Sequence, residues 1–147
     1  MDPLALLLFT TTLIAVSVTD VRERRIPNRL LMAAAAAALV FSVREGTDTL
    51  GTDLLAAFVI SLPLFIAALI RPEGMGMGDA KLVAVIGLFL GWQAVPALLV
   101  GLLLAGITGV LISLGRRLPP SQTSLPLAPF LAAGALPVAV YGLQALQ

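Results

Sequence analysis

Cysteine and histidine are both absent from this sequence. Without cysteine there is no disulfide and no thiolate metal ligand; without histidine as well, the usual zinc sites and every histidine-dependent catalytic triad are excluded. Aromatic residues are scarce at 5%, and charged residues fill only 12% of 147 positions, about half the share found in a water-soluble domain. The formal net charge of +1 offers no electrostatic reason for a nucleic-acid partner. Hydroxyls, carboxylates and amines are the groups left for chemistry.

What fills the space is apolar. The chain is 59% hydrophobic with a mean hydropathy of +1.05, and runs this long would leave a soluble domain of this size with large exposed patches. Six apolar runs stand out, over residues 3–19, 30–43, 54–70, 82–90, 95–114 and 125–146. A helix needs about 20 residues to cross some 30 Å of hydrocarbon, so the second run borrows residues back to Pro27, and the fourth extends from Asp79 to an interfacial Trp92. The first run has no basic segment before it, and Thr19-Asp20-Val21-Arg22 is a poor cleavage site, so it reads as a retained span and not a signal peptide. The expectation is an all-α fold, a polytopic membrane bundle of about six transmembrane helices, with residues 1–147 forming one membrane-embedded domain. Small residues such as 33–38, Gly101, Gly106 and Gly109 read as helix-packing positions, and 119–124 as an irregular loop.

Basic residues set the expected orientation. If spans alternate, Arg22, Arg24, Arg25, Arg29, Arg71, Lys81, Arg116 and Arg117 gather on one side, and Arg44 alone on the other. The positive-inside rule assigns the first side to the cytoplasm and both termini to the opposite face of the cell membrane. The same alternation puts Asp20 and Asp79 together at cytoplasmic helix ends, and Asp48 and Asp53 on the far side.

Carboxylates at a membrane boundary are costly to desolvate and are often functional. Two of them close together cannot both ionise; one stays protonated as an acid while the other, charged, activates water. That suffices for peptide hydrolysis without Ser, Cys, His or metal. Asp79 closes Gly74-Met75-Gly76-Met77-Gly78-Asp79, whose glycines permit positive φ and close backbone approach; its plain alternative is an N-cap on the fourth span. Asp20, near a helix C-terminus, opposes the negative end of the macrodipole; its plain alternative is a solvated carboxylate neutralised by Arg22, Arg24 or Arg25. Helix position alone favours an ionised Asp79 and a protonated Asp20, although a coupled dyad titrates as a pair.

The segments Thr19-Asp20-Val21-Arg22-Glu23-Arg24-Arg25-Ile26-Pro27-Asn28, Gly76-Met77-Gly78-Asp79-Ala80-Lys81-Leu82 and Leu125-Pro126-Leu127-Ala128-Pro129-Phe130 together resemble the bacterial type IV prepilin peptidases. The third looks like the Pro-x-x-Pro-Phe segment that opens the family's last core span. The resemblance implies an intramembrane aspartyl endopeptidase that removes the short basic leader of a prepilin-like precursor, just ahead of its hydrophobic helix, at the cytoplasmic face. Asp20 and Asp79 carry over as the catalytic pair, and Gly76 and Gly78 as the turn that presents Asp79. No cofactor or metal is implied; the expected partners are the precursor and membrane lipid. The cysteine-bearing N-terminal insert of the larger members has no counterpart here, which argues against methyltransferase activity. The short form looks more like the peptidases of Flp-type pilus systems or the archaeal preflagellin peptidases. Presenilin-like proteases share Gly-x-Gly-Asp, but place Tyr before the other aspartate, where Thr19 stands here.

Lys81 reads as a snorkelling lysine at a helix end, or as a group acting on a carboxylate or on substrate. Glu23 and Glu73 lie where a basic leader would pass, or are simply solvated. Two readings from other classes stay open: a small transport or channel subunit whose boundary carboxylates relay protons or bind cations, and a catalytically silent scaffold of the same fold.

Overall fold

The computed structural model describes residues 2–70, 76–116 and 126–144. Arg71, Glu73, Gly74, Met75, Arg117, the loop 119–124 and Leu125 lie outside the described residues. Six α-helices follow one another: α1 (Pro3–Glu23), α2 (Asn28–Glu45), α3 (Thr47–Ile70), α4 (Met77–Leu90), α5 (Ala94–Arg116) and α6 (Ala128–Gln144), with a 3₁₀ turn at Gly91–Gln93 between α4 and α5. No strand occurs among the described residues. Three stretches are long and apolar enough to cross a membrane: Pro3–Glu23, Thr47–Ile70 and Met77–Gly115, the last being α4, the turn and α5 taken together. The expected break near Trp92 is where Gly91 adopts φ +54°, a conformation glycine reaches without steric cost.

Local chemistry explains the helix ends. Asp2 accepts the Leu4 N–H at 2.8 Å and Pro3 opens α1 with a φ already suited to a helix. α1 ends in a left-handed Arg24, φ 51°, a conformation that costs an L-residue about 1–2 kcal/mol. α3 begins at Thr47, seven residues before the apolar run at Leu54, because Thr47, Asp48 and Gly51 extend the helix into its polar end.

α4 is the central element. Ala80, Leu82, Val83, Val85, Ile86, Gly87 and Leu88 are all buried, the all-round apolar pattern of an enclosed helix. Against it lie Phe9, Leu13 and Val16 of α1 and Leu131 of α6, with the Phe9 and Phe89 rings 5.0 Å apart. Large apolar side chains such as Leu7, Phe58, Leu69 and Leu103 point outward instead, as lipid-facing side chains do. Backbones meet where side chains are smallest. A Cβ on Gly87 would lie 2.6 Å from the Ala57 Cα, and one on Gly101 2.8 Å from the Phe130 carbonyl oxygen. One on Gly134 would collide with the Ala97 carbonyl and the Gly101 backbone. Gly106, expected to be a packing position, faces open space instead.

Helix ends collect at two poles. The end of α1 and the starts of α2 and α4 line one cleft, and the start of α6 touches α1 there. The start of α1, the end of α2, the start of α3 and the ends of α4 and α6 surround a second cavity. Successive helices therefore alternate in direction, and Asp53 sits at the pole opposite Asp20 and Asp79.

Candidate active site

Phe9, Leu13, Val16 and Asp20 recur at steps of four, three and four along α1, so they share one face, and all four are buried. Asp20 is thus the last residue of the core stripe, with 7% of its surface exposed. Its Oδ2 accepts the backbone N–H of Ala128 at 3.0 Å. Ala128 is the first residue of α6, and its N–H is one of the four that no helix can satisfy internally. Leu127 supplies the carbonyl that accepts from Phe130 and Leu131, and Pro129 contributes no N–H of its own. The Pro-Leu-Ala-Pro-Phe sequence therefore begins a helix whose leading amide points at a carboxylate. Asp20 is buried and has the Ala128 amide as its partner, and the positive end of α6 opposes the field of α1 there.

Asp79 is the third residue of α4 and not its cap: Gly76 occupies the cap position with φ −72° and accepts the Asp79 N–H at 3.0 Å. The carboxylate curls back over that glycine, with Oδ2 3.2 Å from the Cβ that any other residue would place there. Gly78 lies in the first helical turn, and a Cβ on it would sit 3.0 Å from the Ile26 Cβ. The two glycines act through close approach and not through positive φ, which among the described glycines is found at Gly46 and Gly91.

Asp20 and Asp79 line the same cleft of about 350 Å³, together with Arg24, Arg25, Ile26 and Asn28. They are near enough for the charge of Asp20 to act on Asp79. Lys81 donates to Oδ1 of Asn28 at 2.9 Å, which ties the start of α4 to the start of α2 at the rim. Asn28 carried no signal beyond its place in the first motif. Ser17, three residues before Asp20, buries its Oγ with no hydrogen-bond partner among the described residues. No three carboxylates converge among the described residues to cage a metal ion.

At the other pole, Ser42 donates to Oδ2 of Asp53 at 2.6 Å, and Gly91 approaches Asp53 so closely that a Cβ there would lie 2.8 Å from Oδ1. This is a structural link between α2, α3 and the 3₁₀ turn.

A family profile described as the type IV leader peptidase family matches residues 7–114. The chain belongs to that family. Among curated relatives, the prepilin leader peptidase/N-methyltransferase of Aeromonas hydrophila is 33% identical over 137 residues, covering 88% of this chain and 46% of its own length. The protein of the same name from Bacillus subtilis is 37% identical over 139 residues, 91% of this chain and 54% of its own. That of Escherichia coli is 30% identical over 139 residues, 90% of this chain and 60% of its own. The chain thus spans about half the length of the leader peptidases it matches. No solved structure gives a significant match. Family membership and outward-facing apolar helices together make this a membrane protein of the prepilin peptidase class.

Proposed function

We propose that the chain is an intramembrane aspartyl endopeptidase that removes the short basic leader of a type IV prepilin-like precursor. The observation that supports it is the meeting of Asp20 and Asp79, from helices 59 residues apart in sequence, on one cleft at one pole of the bundle. In this reading Asp20, the acceptor of the leading amide of α6, is the charged partner, and Asp79 carries the shared proton. Water enters between them. Asp20 takes a proton as the water oxygen attacks the scissile carbonyl carbon, and Asp79 gives its proton to the carbonyl oxygen. Collapse of the tetrahedral gem-diol breaks the C–N bond: Asp20 gives the proton it gained to the leaving amine, Asp79 takes back a proton from a gem-diol hydroxyl, and the new carboxyl product leaves a dyad with one proton, as at the start. This inverts the roles that helix position alone suggests.

The six helices all cross the inner membrane in this reading, with the dyad at the cytoplasmic face, where Arg22, Arg24, Arg25 and Arg29 cluster, and both termini opposite. Exposed Glu23 directly precedes Arg24 of the cleft lining and suits a basic leader. Methyl transfer, the second activity in the relatives' names, is not carried over: this chain spans about half their length and holds no cysteine for the thiolate site expected of longer forms.

The test is incubation of the purified protein in detergent with a prepilin-like precursor, with mass spectrometry of the products. A single cut between leader and hydrophobic helix is the expected result. An uncut panel of such precursors would favour the scaffold or transport reading.

A further inference from the structure

The cleft continues sideways. Asn28 and Lys81, which line its rim, also form the mouth of an apolar groove of about 390 Å³ between α2 and α4, continued by Met32 and Ala35 on one side and Ala84 and Leu88 on the other. These positions recur every three or four residues, so each helix gives the groove a single face. From Lys81 to Leu88 the rise is about 10 Å, or two helical turns. The groove ends where Leu88 packs with Ala38 and Ala57. Met32 stands at its rim with 72% exposure, and Ala35 and Ala84 are half-buried in its floor.

We propose that this groove receives the first two turns of the precursor's hydrophobic helix, the segment that directly follows the scissile bond. The inference rests on the peptidase reading of the dyad and adds the place where substrate is held. Its basis is continuity. A helix seated between α2 and α4 ends at Asn28 and Lys81, beside Asp20 and Asp79, so its first peptide bonds unwind directly into the cleft. The comparable groove between α1 and α2, lined by Leu8, Thr11, Ala15, Ala33 and Ala37, shares no residue with the cleft. A segment lying there meets none of the residues that line the cleft of the dyad. Surface chemistry agrees, because helices associate in lipid through close van der Waals contact at small residues, and Ala35 and Ala84 provide them. The Lys81–Asn28 hydrogen bond marks the boundary at which helix gives way to extended chain.

Steady-state cleavage of the full precursor is the test, comparing Ala35→Trp and Ala84→Trp with Ala33→Trp and Ala37→Trp in the other groove. The first pair should raise KM by about tenfold or more with kcat unchanged, and the second pair should match the parent. As a check independent of Trp-induced misfolding, Met32→Cys in this cysteine-free chain should form a disulfide with a cysteine in the first helical turn of the precursor, and Thr11→Cys should not. Unchanged KM in the first pair with no disulfide at Met32 would overturn the docking site while leaving the peptidase reading intact. Disulfides joining two enzyme copies through Met32→Cys would do the same, by assigning the face to a second copy. A parent that cuts no precursor would remove the peptidase reading itself, and this inference with it.

Discussion

The N–H of Ala128 donates to Oδ2 of Asp20 at 3.0 Å across 108 residues of sequence. This bond ties the start of the last helix to the end of the first, and gives the Pro-Leu-Ala-Pro-Phe segment a physical task. Ala128→Pro deletes the donor at a helix position that accepts proline, and places a ring carbon where the hydrogen was. A hydrogen bond to a charged group contributes about 1.5–3 kcal/mol, so kcat should fall roughly tenfold to a hundredfold, with helicity preserved and KM little changed. Full activity in this variant would remove the bond from the mechanism.

Gly76→Ala tests the seat of Asp79. The backbone there, at φ −72°, suits any residue, so folding should survive. The new methyl presses on a carboxylate oxygen at 3.2 Å, and displacement of a reacting group by a fraction of an ångström to an ångström costs up to about a hundredfold. Gly78→Ala acts on the neighbouring wall by pushing on Ile26, and should be rescued in part by Ile26→Ala. Activity of both single variants and of the double variant measures that coupling.

The expectation that Asp20 and Asp79 share a pole was legible because alternation of apolar runs and the tally of arginines both depend on residue type. The stripe Phe9, Leu13, Val16, Asp20 carried the burial of Asp20 as well, in its helical spacing. The Ala128 donor was not legible, since a backbone amide belongs to every residue and its direction is set by where α6 begins. The roles proposed for Asp20 and Asp79 differ from those that helix position alone favours for the same reason: the field of α1 could be inferred from the chain, but not the approach of a helix from 108 residues away. Glycines advertise both positive φ and close approach. At Gly76 and Gly78 the second applies, while the left-handed turn after Asp20 is taken by Arg24, which no propensity would select.

Packing predicts a contrast among glycines. Gly134→Ala sets a methyl against the backbone of α5, which cannot swing aside, and should destabilise the protein by about 2–3 kcal/mol. Gly106→Ala, in open space, should be neutral or slightly stabilising through its helix propensity. Thermal unfolding in detergent separates the two.

Orientation can be read with single cysteines, since the chain has none of its own. Arg24→Cys should resist an impermeant thiol reagent added outside whole cells and react after permeabilisation, whereas Thr49→Cys, at the opposite pole, should react from outside. The reverse pattern would place the dyad on the other face.

The central claim is that Asp20 and Asp79 form one catalytic unit. Its most direct measurement is the rate of leader cleavage by purified Asp20→Asn and Asp79→Asn variants beside the parent, each checked for helicity and thermal unfolding. Loss of about 10³-fold or more in both, with folding intact, is the result this account predicts; parent-like cleavage by either variant would contradict it.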